Sequence, residues 1–269
     1  MQVFEELDLS SMRSCLLTCR QWHRVGERVM YASPRLSSAA AMKCFISVLA
    51  RKMHLRGAAK RLHLRGKANY SSSQRTHWIL DAPRCLAPLL PNVKSLTFEN
   101  VENVPFSRPQ TEHTFWRDLE CFVGVTELNI IQCRFEFVQD LRNFVFSFPS
   151  LNALTLSHVK WAYQQSLDPE LNVHNHPRWQ RILPLRTLRL AYFSTVPQYQ
   201  AVLPWLENLQ SVCTLEVEHI PAMALGLLAK YLTRLADSGS SLQSLAFSPL
   251  IMEHKDTGEC SLSPILRGH

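Results

Sequence analysis

The sequence predicts an α/β fold in which short parallel strands alternate with helices in an irregular repeat. A pattern of an apolar residue, any two residues, leucine, any one residue and an apolar residue recurs along the chain, with its central leucines 26 to 34 residues apart. Proline often precedes a copy, where it ends a helix. Apolar residues at helical spacing lie between copies. A strand followed by a helix, repeated, stacks into one continuous core.

The strand-like pattern has six clear copies and one weaker copy. The central leucines of the clear copies are Leu96, Leu128, Leu154, Leu188, Leu215 and Leu245, and that of the weaker copy is Leu62. Because successive strand side chains point to opposite faces, the central leucine and the apolar residue two positions later face the core. The residue between them faces outward. These outward positions are candidate binding residues: Thr97, Asn129, Thr155, Arg189 and Glu216.

The segments between copies predict helices and two loops. The clearest helical stripe comprises Val138, Leu141, Phe144, Val145 and Phe148. The prolines that mark the return from helix to strand are Pro91, Pro149 and Pro184. The segment from Trp161 to Arg181 interrupts the period and is predicted to be a surface loop, and residues 69–77 are predicted to be a flexible connection.

The N-terminal region predicts two helices ahead of the repeats. Residues 8–31 have apolar side chains at spacings of three and four and a basic opposite face, which indicates an amphipathic helix. Its apolar positions are Met12, Cys15, Leu16, Cys19, Trp22 and Val25, and its basic positions are Arg13, Arg20, Arg24 and Arg28. A second helix is expected from about residue 37 to residue 52, with Met42, Phe45, Ile46 and Leu49 on one face.

The positive charge of the chain belongs to its first third. The formal net charge is +7, yet residues 1–80 hold 14 Lys and Arg against four acids, whereas the remainder holds 15 against 18. A basic segment can dock on acidic protein as readily as on phosphate. No apolar run approaches the ~20 residues of a membrane span, and the N-terminus is acidic where a secretory signal is basic. We therefore expect an intracellular protein of the cytoplasm or nucleus.

The sequence offers no catalytic or cofactor motif. It has no phosphate-binding glycine loop and no G-x-S-x-G element. The eight cysteines include no C-x-x-C pair, so buried free thiols are expected rather than a zinc site or a disulfide framework. His174 and His176 lie together in the predicted loop, where a metal role is the less favoured interpretation. We expect no enzyme activity, no metal and no cofactor.

Residues 55–260 resemble the leucine-rich repeat family, in which the strands and helices form a solenoid. The steps are longer than the usual ~20–29 residues. The family's Asn or Cys position, shortly after the strand, is matched only by Cys133, whereas Val101, Val159, Phe193 and Ile220 stand at the other copies. The side-chain ladder that bonds the loop backbone in the family is therefore expected to be absent. A parallel α/β domain without a solenoid remains the alternative.

The string Cys15-Leu16-Leu17-Thr18-Cys19-Arg20-x-Trp22 resembles the second half of an F-box. The following Arg28-Val29-Met30-Tyr31 is similar to the stretch that closes the motif in fungal members, and the family's opening Leu-Pro-x-Glu-Ile helix has no counterpart. Residues 5–34 would be a partial F-box-like segment and residues 35–54 the link to the repeats. The resemblance implies that a Skp-type adaptor is bound through Leu9, Leu16, Leu17, Arg20 and Trp22. The alternative is that Leu16, Leu17 and Trp22 cover the end of the repeat core.

Together the two resemblances imply a protein-interaction module. It would be the substrate-recognition subunit of a cullin-RING ubiquitin ligase of the SCF type, with the adaptor on the N-terminal helices and a target on Thr97, Asn129, Thr155, Arg189 and Glu216. The alternative is a repeat scaffold with a degenerate F-box and no ubiquitin role, whose basic N-terminal helix binds an acidic partner. Neither a membrane nor a nucleic acid is expected as the partner.

Overall fold

A computed structural model describes residues 11, 14–15, 17–66, 77–102, 109–163, 183–193, 195–206, 211–237 and 242–249. The strands in chain order are β1 Arg35–Leu36, β2 Arg61–Arg65, β3 Ser95–Glu99, β4 Glu127–Ile131, β5 Arg134–Phe137, β6 Ala153–Ser157, β7 Lys160–Tyr163, β8 Thr187–Ala191, β9 Thr214–Ile220 and β10 Ser244–Pro249. The helices are α1 Arg20–Met30, α2 Ala39–Arg51, α3 His77–Leu86, α4 Pro109–Glu120, α5 Val138–Phe146, α6 Val196–Leu206 and α7 Leu225–Asp237.

The main sheet has eight strands, and all of its pairings are parallel. The strand order is β1-β2-β3-β4-β6-β8-β9-β10, so each strand pairs beside the one that preceded it in the sheet. Parallel neighbours need a crossover connection, and described helices supply it for every pair except β6 and β8, between which the described residues include only β7. The predicted α/β class with parallel strands and alternating helices is confirmed. The sheet is open, with β1 and β10 at its edges.

One face of this sheet builds the core. The central leucines from β2 to β9 pair in register, and each is at most 1% exposed: Leu62, Leu96, Leu128, Leu154, Leu188 and Leu215. The apolar residues two positions later form a second buried row: Leu64, Phe98, Ile130, Leu156, Leu190 and Val217. In β10 the same positions, Leu245 and Phe247, are 42% and 58% exposed. The predicted alternation of core-facing and outward residues is therefore present from β2 to β9, whereas the prediction that Leu245 and Phe247 are buried is wrong, because β10 is the edge strand.

The helices lie together on the core face. Because the strands follow one another in the same direction, right-handed crossovers place every connecting helix on one side of the sheet. Neighbouring helices then pack in pairs, α2 on α3, α3 on α4, α5 on α6 and α6 on α7. Phe144 of the α5 stripe sits in an aromatic cluster with Phe98 on β3 and Phe115 on α4. The opposite face, which we call the open face, carries half-buried and exposed side chains.

The chain turns sharply after each central strand. Asn100, Gln132, His158, Tyr192 and His219 all have φ between 52° and 59°, a left-handed conformation that is uncommon for residues other than glycine. The backbone N–H of the residue after one strand donates to the carbonyl oxygen of the last residue of the neighbouring strand. Asn100 donates to Ile131 at 3.0 Å, and Gln132 donates to Ser157 at 2.8 Å. The same corner therefore repeats from strand to strand.

A second, two-stranded sheet follows these corners. β5 pairs with β7 in parallel, with Phe135 opposite Trp161. The predicted loop from Trp161 to Arg181 is therefore wrong at its start, because Trp161 and Tyr163 continue a strand. Trp161 packs against the core beside Phe193, as an aromatic residue in a strand often does, and the period-based prediction overlooked it. The rest of the predicted loop, including His174 and His176, and residues 69–76 lie outside the described residues.

The single helix predicted over residues 8–31 is wrong. The chain turns at Leu17 and Thr18, where the Thr18 hydroxyl donates to the Cys15 carbonyl oxygen at 2.7 Å. Cys19 is extended, with φ −156°, and its sulfur accepts from the backbone N–H of Trp22 at 3.4 Å, which caps the start of α1. Such local side-chain bonds compete with helix continuation. The heptad-like spacing hid this break.

The second predicted helix is present as α2. Ser38 caps its start by accepting from the Ala41 N–H at 3.1 Å, and Met42, Phe45 and Leu49 are buried. The residues just ahead of it form the edge strand β1, in which Leu36 pairs with Leu64. The sequence pattern did not predict this strand, because two residues are too few to show alternation.

Replacing Leu154 with alanine should lower the free energy of unfolding by about 2 to 5 kcal/mol, because a cavity opens in the centre of the sheet. The adjacent Thr155→Ala should cost less than about 1 kcal/mol, since that side chain lies on the open face. Urea unfolding followed by circular dichroism measures both variants. Equal losses would contradict the assignment of the two faces.

Candidate interaction surfaces

The five outward residues predicted from the strands form one continuous row on the open face. Strand register pairs Thr97 with Asn129, Asn129 with Thr155, Thr155 with Arg189 and Arg189 with Glu216. Arg189 is exposed and the other four are half-buried. The structure therefore brings these residues together on a surface that packs against no described helix.

A basic cluster stands at the β1–β3 end of the open face. It consists of Arg35, His63 and Arg65, which surround Glu99, and of Arg61, which lies on the same strand as His63 and Arg65 and opposite Ser95. Arg35 Nη2 lies 2.8 Å from Glu99 Oε2, His63 Nε2 lies 2.7 Å from the same oxygen, and Arg65 Nε lies 3.3 Å from Oε1. The Glu99 side chain is only 16% exposed, whereas those of Arg35 and Arg65 are about half exposed, at 53% and 44%.

The electrostatics of this cluster leave it positive. Burial lowers the pKa of His63, and the nearby Arg35 lowers it further, although Glu99 opposes the shift. His63 is therefore uncharged at neutral pH and adds no positive charge to the cluster. Two arginines, Arg35 and Arg65, then face one carboxylate, and Arg61 adds a third positive charge further along β2, opposite Ser95.

The β8–β9 end of the open face carries the opposite balance. Arg189 Nη2 donates to Glu218 Oε1 at 2.6 Å, and Arg189 Nε lies 3.7 Å from Glu216 Oε2. Two carboxylates therefore share one guanidinium. In the middle of the face, the amide of Asn129 donates to Glu127 at 2.9 Å. The open face is thus basic at one end and acidic at the other.

Three aromatic rings stack along the left-handed corners at the ends of β6, β8 and β9, the last of which, at His219, lies within the final residues of β9. The rings of His158 and Tyr192 have centroids 4.2 Å apart, those of Tyr192 and His219 are 4.1 Å apart, and both pairs are inclined by 17°. The left-handed corners place the three side chains side by side. Burial lowers the pKa of His158, as do the nearby Lys160 and His219. Sequence reasoning missed this stack, although equal offsets from the three central leucines would have indicated it.

The position that holds Asn or Cys in leucine-rich repeats is apolar and buried here. Val101, Val159, Phe193 and Ile220 are at most 3% exposed. Cys133 is the one polar member of the set. Its sulfur lies 3.4 Å from the Phe98 carbonyl oxygen and 3.3 Å from the Ile131 carbonyl oxygen. Burial raises the pKa of its thiol to about 12. Its thiol therefore stays protonated and inert at neutral pH.

Part of this loop backbone is bonded from a helix instead. The Gln198 amide of α6 donates to the Val159 carbonyl oxygen at 3.0 Å and accepts from the Thr195 N–H at 3.0 Å. Gln198 is itself buried. A helix residue thus satisfies a loop carbonyl that the family's ladder would otherwise reach.

The adaptor-binding residues implied by the F-box resemblance are only partly described. Leu9 and Leu16 lie outside the described residues. Leu17 is 88% exposed in the turn before α1, Arg20 is the first residue of that helix, and Trp22 is 46% exposed. In the alternative, Leu16, Leu17 and Trp22 would cover the end of the core. Leu17 and Trp22 are instead solvent-exposed, and Leu16 lies outside the described residues.

The other side of α1 is tied to the end of α2. Glu27 is 8% exposed and forms ion pairs with Lys52 and, at 3.3 Å, with His54. Burial by itself would raise the pKa of Glu27, but the hydrogen bonds from Lys52 and His54 outweigh it and the pKa is lowered. The carboxylate is therefore ionised at neutral pH and fixes which face of α1 points to solvent.

That outer face carries a row of arginines. Arg20, Arg24 and Arg28 are exposed and, with Gln21 and Val25, line a surface cavity of about 420 Å³. They stand four residues apart, which places them on one side of the helix. Among the described residues no ion pair joins these three guanidinium groups to a carboxylate.

Among the described residues, we find neither a candidate metal-ion site nor a candidate membrane-spanning helix. In the part of the chain that the structure covers, no group of three or more His, Cys, Asp or Glu side chains is placed to hold a metal ion. Within the same residues, no helix has the length and apolar character needed to cross a bilayer.

No protein-family model matches the chain, and no curated protein is significantly similar to it.

Acidification should destabilise the protein through the ring stack. Since the pKa of His158 lies below its ordinary value of 6.5 in the folded state, its stabilising contribution is present above that value and is lost as the pH falls through the folded pKa. His158→Asn keeps a side chain that tolerates the left-handed corner and cannot titrate. Urea unfolding at about pH 7 and about pH 5 should show a smaller loss of stability in this variant than in the wild type.

The matched control is Gln132→Asn, at a left-handed corner of the same kind that carries no titrating side chain. It should lose stability on acidification as the wild type does. A His158→Asn variant with the same pH dependence as the wild type would show that His158 does not titrate in the way that its surroundings imply.

Proposed function

We propose that this protein is a leucine-rich repeat solenoid of irregular step that serves as the substrate-recognition subunit of an SCF-type ubiquitin ligase in the cytoplasm or nucleus. In this proposal the segment around α1 binds a Skp-type adaptor and the open face holds the target. The protein performs no chemistry itself. It raises the concentration of its target beside the ubiquitin-loaded enzyme.

One observation carries the adaptor half of the proposal. Leu17 and Trp22 expose large apolar side chains within six residues, at two of the positions that the F-box resemblance assigns to adaptor binding. Tryptophan and arginine, here Trp22 and Arg20, are residue types enriched among interface hot spots. The ion pairs of Glu27 hold the helix so that these residues remain outward.

The target half is supported by the open face. Eight parallel strands in sequential order, repeated corners and helices on one side are features that leucine-rich repeats share. The outward row from Thr97 to Glu216 is made of side chains that none of the described helices covers. A flat, polar and regularly spaced surface of this kind suits the binding of a protein segment.

The arginine row of α1 favours a second candidate function, a scaffold without a ubiquitin role. Arg20, Arg24 and Arg28 present three positive charges on one exposed helix face. Such a face suits an acidic partner, and binding through it weakens steeply with salt. Apolar docking through Leu17 and Trp22 is much less sensitive to salt, so ionic strength separates the two candidates.

The proposal predicts that the purified chain captures a recombinant Skp-type adaptor at about 0.15 M and at about 1 M NaCl. Leu17→Asp combined with Trp22→Ala should reduce capture at least tenfold at both salt concentrations, because it removes the exposed apolar contacts. The control, Met53→Asp with Val123→Ala, changes two exposed apolar residues elsewhere and should bind as the wild type does.

Two outcomes would count against the adaptor. Absence of capture at either salt concentration contradicts it directly. Capture that is lost at high salt and in Arg24→Gln with Arg28→Gln, yet survives the Leu17 and Trp22 changes, would favour the scaffold function instead.

A further inference from the structure

We propose that the basic cluster of Arg35, Arg61, His63 and Arg65 is the anchor for the target, and that it binds carboxylate side chains of an acidic, extended protein segment. This inference rests on the proposed function, since it names the class of target that the open face holds. It is carried by the arrangement of the cluster around Glu99.

Glu99 organises the cluster without neutralising it. Its two oxygens engage Arg35, His63 and Arg65 at 2.8, 2.7 and 3.3 Å, so the side chains of both arginines are held in place by one largely buried carboxylate. Each guanidinium has five N–H donors, and only the donors nearest Glu99 are engaged there. The remaining donors of two half-exposed guanidinium groups are preorganised for a second carboxylate, which arginine binds in a two-pronged manner.

The rest of the open face indicates an extended segment that lies across the strands. From β2 to β9 the row crosses six strands, which is about 24 Å at ~4.8 Å per strand. An extended peptide of roughly seven residues covers that distance. Thr97, Asn129 and Thr155 provide polar side chains of modest size along the way, so among the described residues no large side chain of the row interrupts the path. Because Glu216 and Glu218 would repel a carboxylate over β9, the face favours a segment that has its acidic residues over β1–β3 and none over β9.

The same features disfavour a nucleic acid. Glu127, Glu216 and Glu218 lie along the row and would repel a phosphate backbone. The row from Thr97 to Glu216 also has no aromatic side chain on which bases could stack. A protein segment with charges concentrated at one end matches the face better than a uniformly charged polymer does.

Fluorescence anisotropy with a fluorescein-labelled octaglutamate peptide tests the inference on the full-length protein at about 0.15 M salt. The wild type should bind this peptide and not a Gly-Ser peptide of the same length. Arg35→Gln with Arg65→Gln should weaken binding at least tenfold. Arg84→Gln with Arg117→Gln removes the same charge from exposed helix positions and should change the affinity less than about twofold.

A second pair of variants separates an organised anchor from diffuse attraction. Glu99→Gln and Glu127→Gln each remove one negative charge from the open face, but only Glu99 holds the arginines. An organised anchor predicts that Glu99→Gln binds octaglutamate more weakly than Glu127→Gln does. Because this comparison does not require the double arginine variant, it stands even if that variant fails to fold.

Several results would overturn the inference. These are absence of octaglutamate binding by the wild type, equal weakening by the two arginine pairs, or equal tightening by Glu99→Gln and Glu127→Gln. Tighter binding of an oligothymidylate than of octaglutamate, with the same dependence on Arg35 and Arg65, would assign the cluster to nucleic acid. If one of these results is found and the adaptor is still captured, only the inference about the anchor fails and the proposed function stands. If adaptor capture fails while octaglutamate binds as expected, the proposed function fails and the anchor for acidic segments stands.

Discussion

The structure depends on the pair of apolar residues that each strand turns toward the helices. Because leucine stands at the same place in successive strands, as Leu128, Leu154 and Leu188 do, parallel pairing in register buries an unbroken apolar row. A slip of one residue would move every one of these side chains to the open face. The register, the shared side of the helices and the repeated left-handed corners all follow from this constraint.

The same constraint creates the surfaces available for binding. A parallel sheet covered by helices on one side leaves the other side free, and strand register arranges its polar side chains in rows. One end of that face carries Glu99 with Arg35 and Arg65, and the other carries Arg189 with Glu216 and Glu218. The face is therefore basic at one end and acidic at the other. α1 lies at the start of the chain, where Glu27 anchors it and leaves its apolar and basic residues exposed. The surfaces proposed for binding are thus formed by side chains that do not contribute to the core.

Much of the fold could be predicted from periodicity, and the details that depend on single side chains could not. The alternation in the strands identified the row from Thr97 to Glu216, because strand geometry alone determines which residues face outward. The break before α1 depends on the Thr18 hydroxyl and the Cys19 sulfur, which no apolar period reveals. The basic cluster joins β1, β2 and β3, whose residues are far apart in sequence, and so only the folded sheet shows that Glu99 holds it.

Hydrogen exchange of the individual strands, measured by mass spectrometry on the free protein, tests the central claim most directly. If the buried leucine rows hold the sheet in register, the amides of β4, β6 and β8 should exchange most slowly and those of the edge strand β1 much faster, because interior strands open only with the whole sheet. Exchange in β6 as fast as in β1 would contradict the account, since it would mean that the central leucines do not unite the strands into one core.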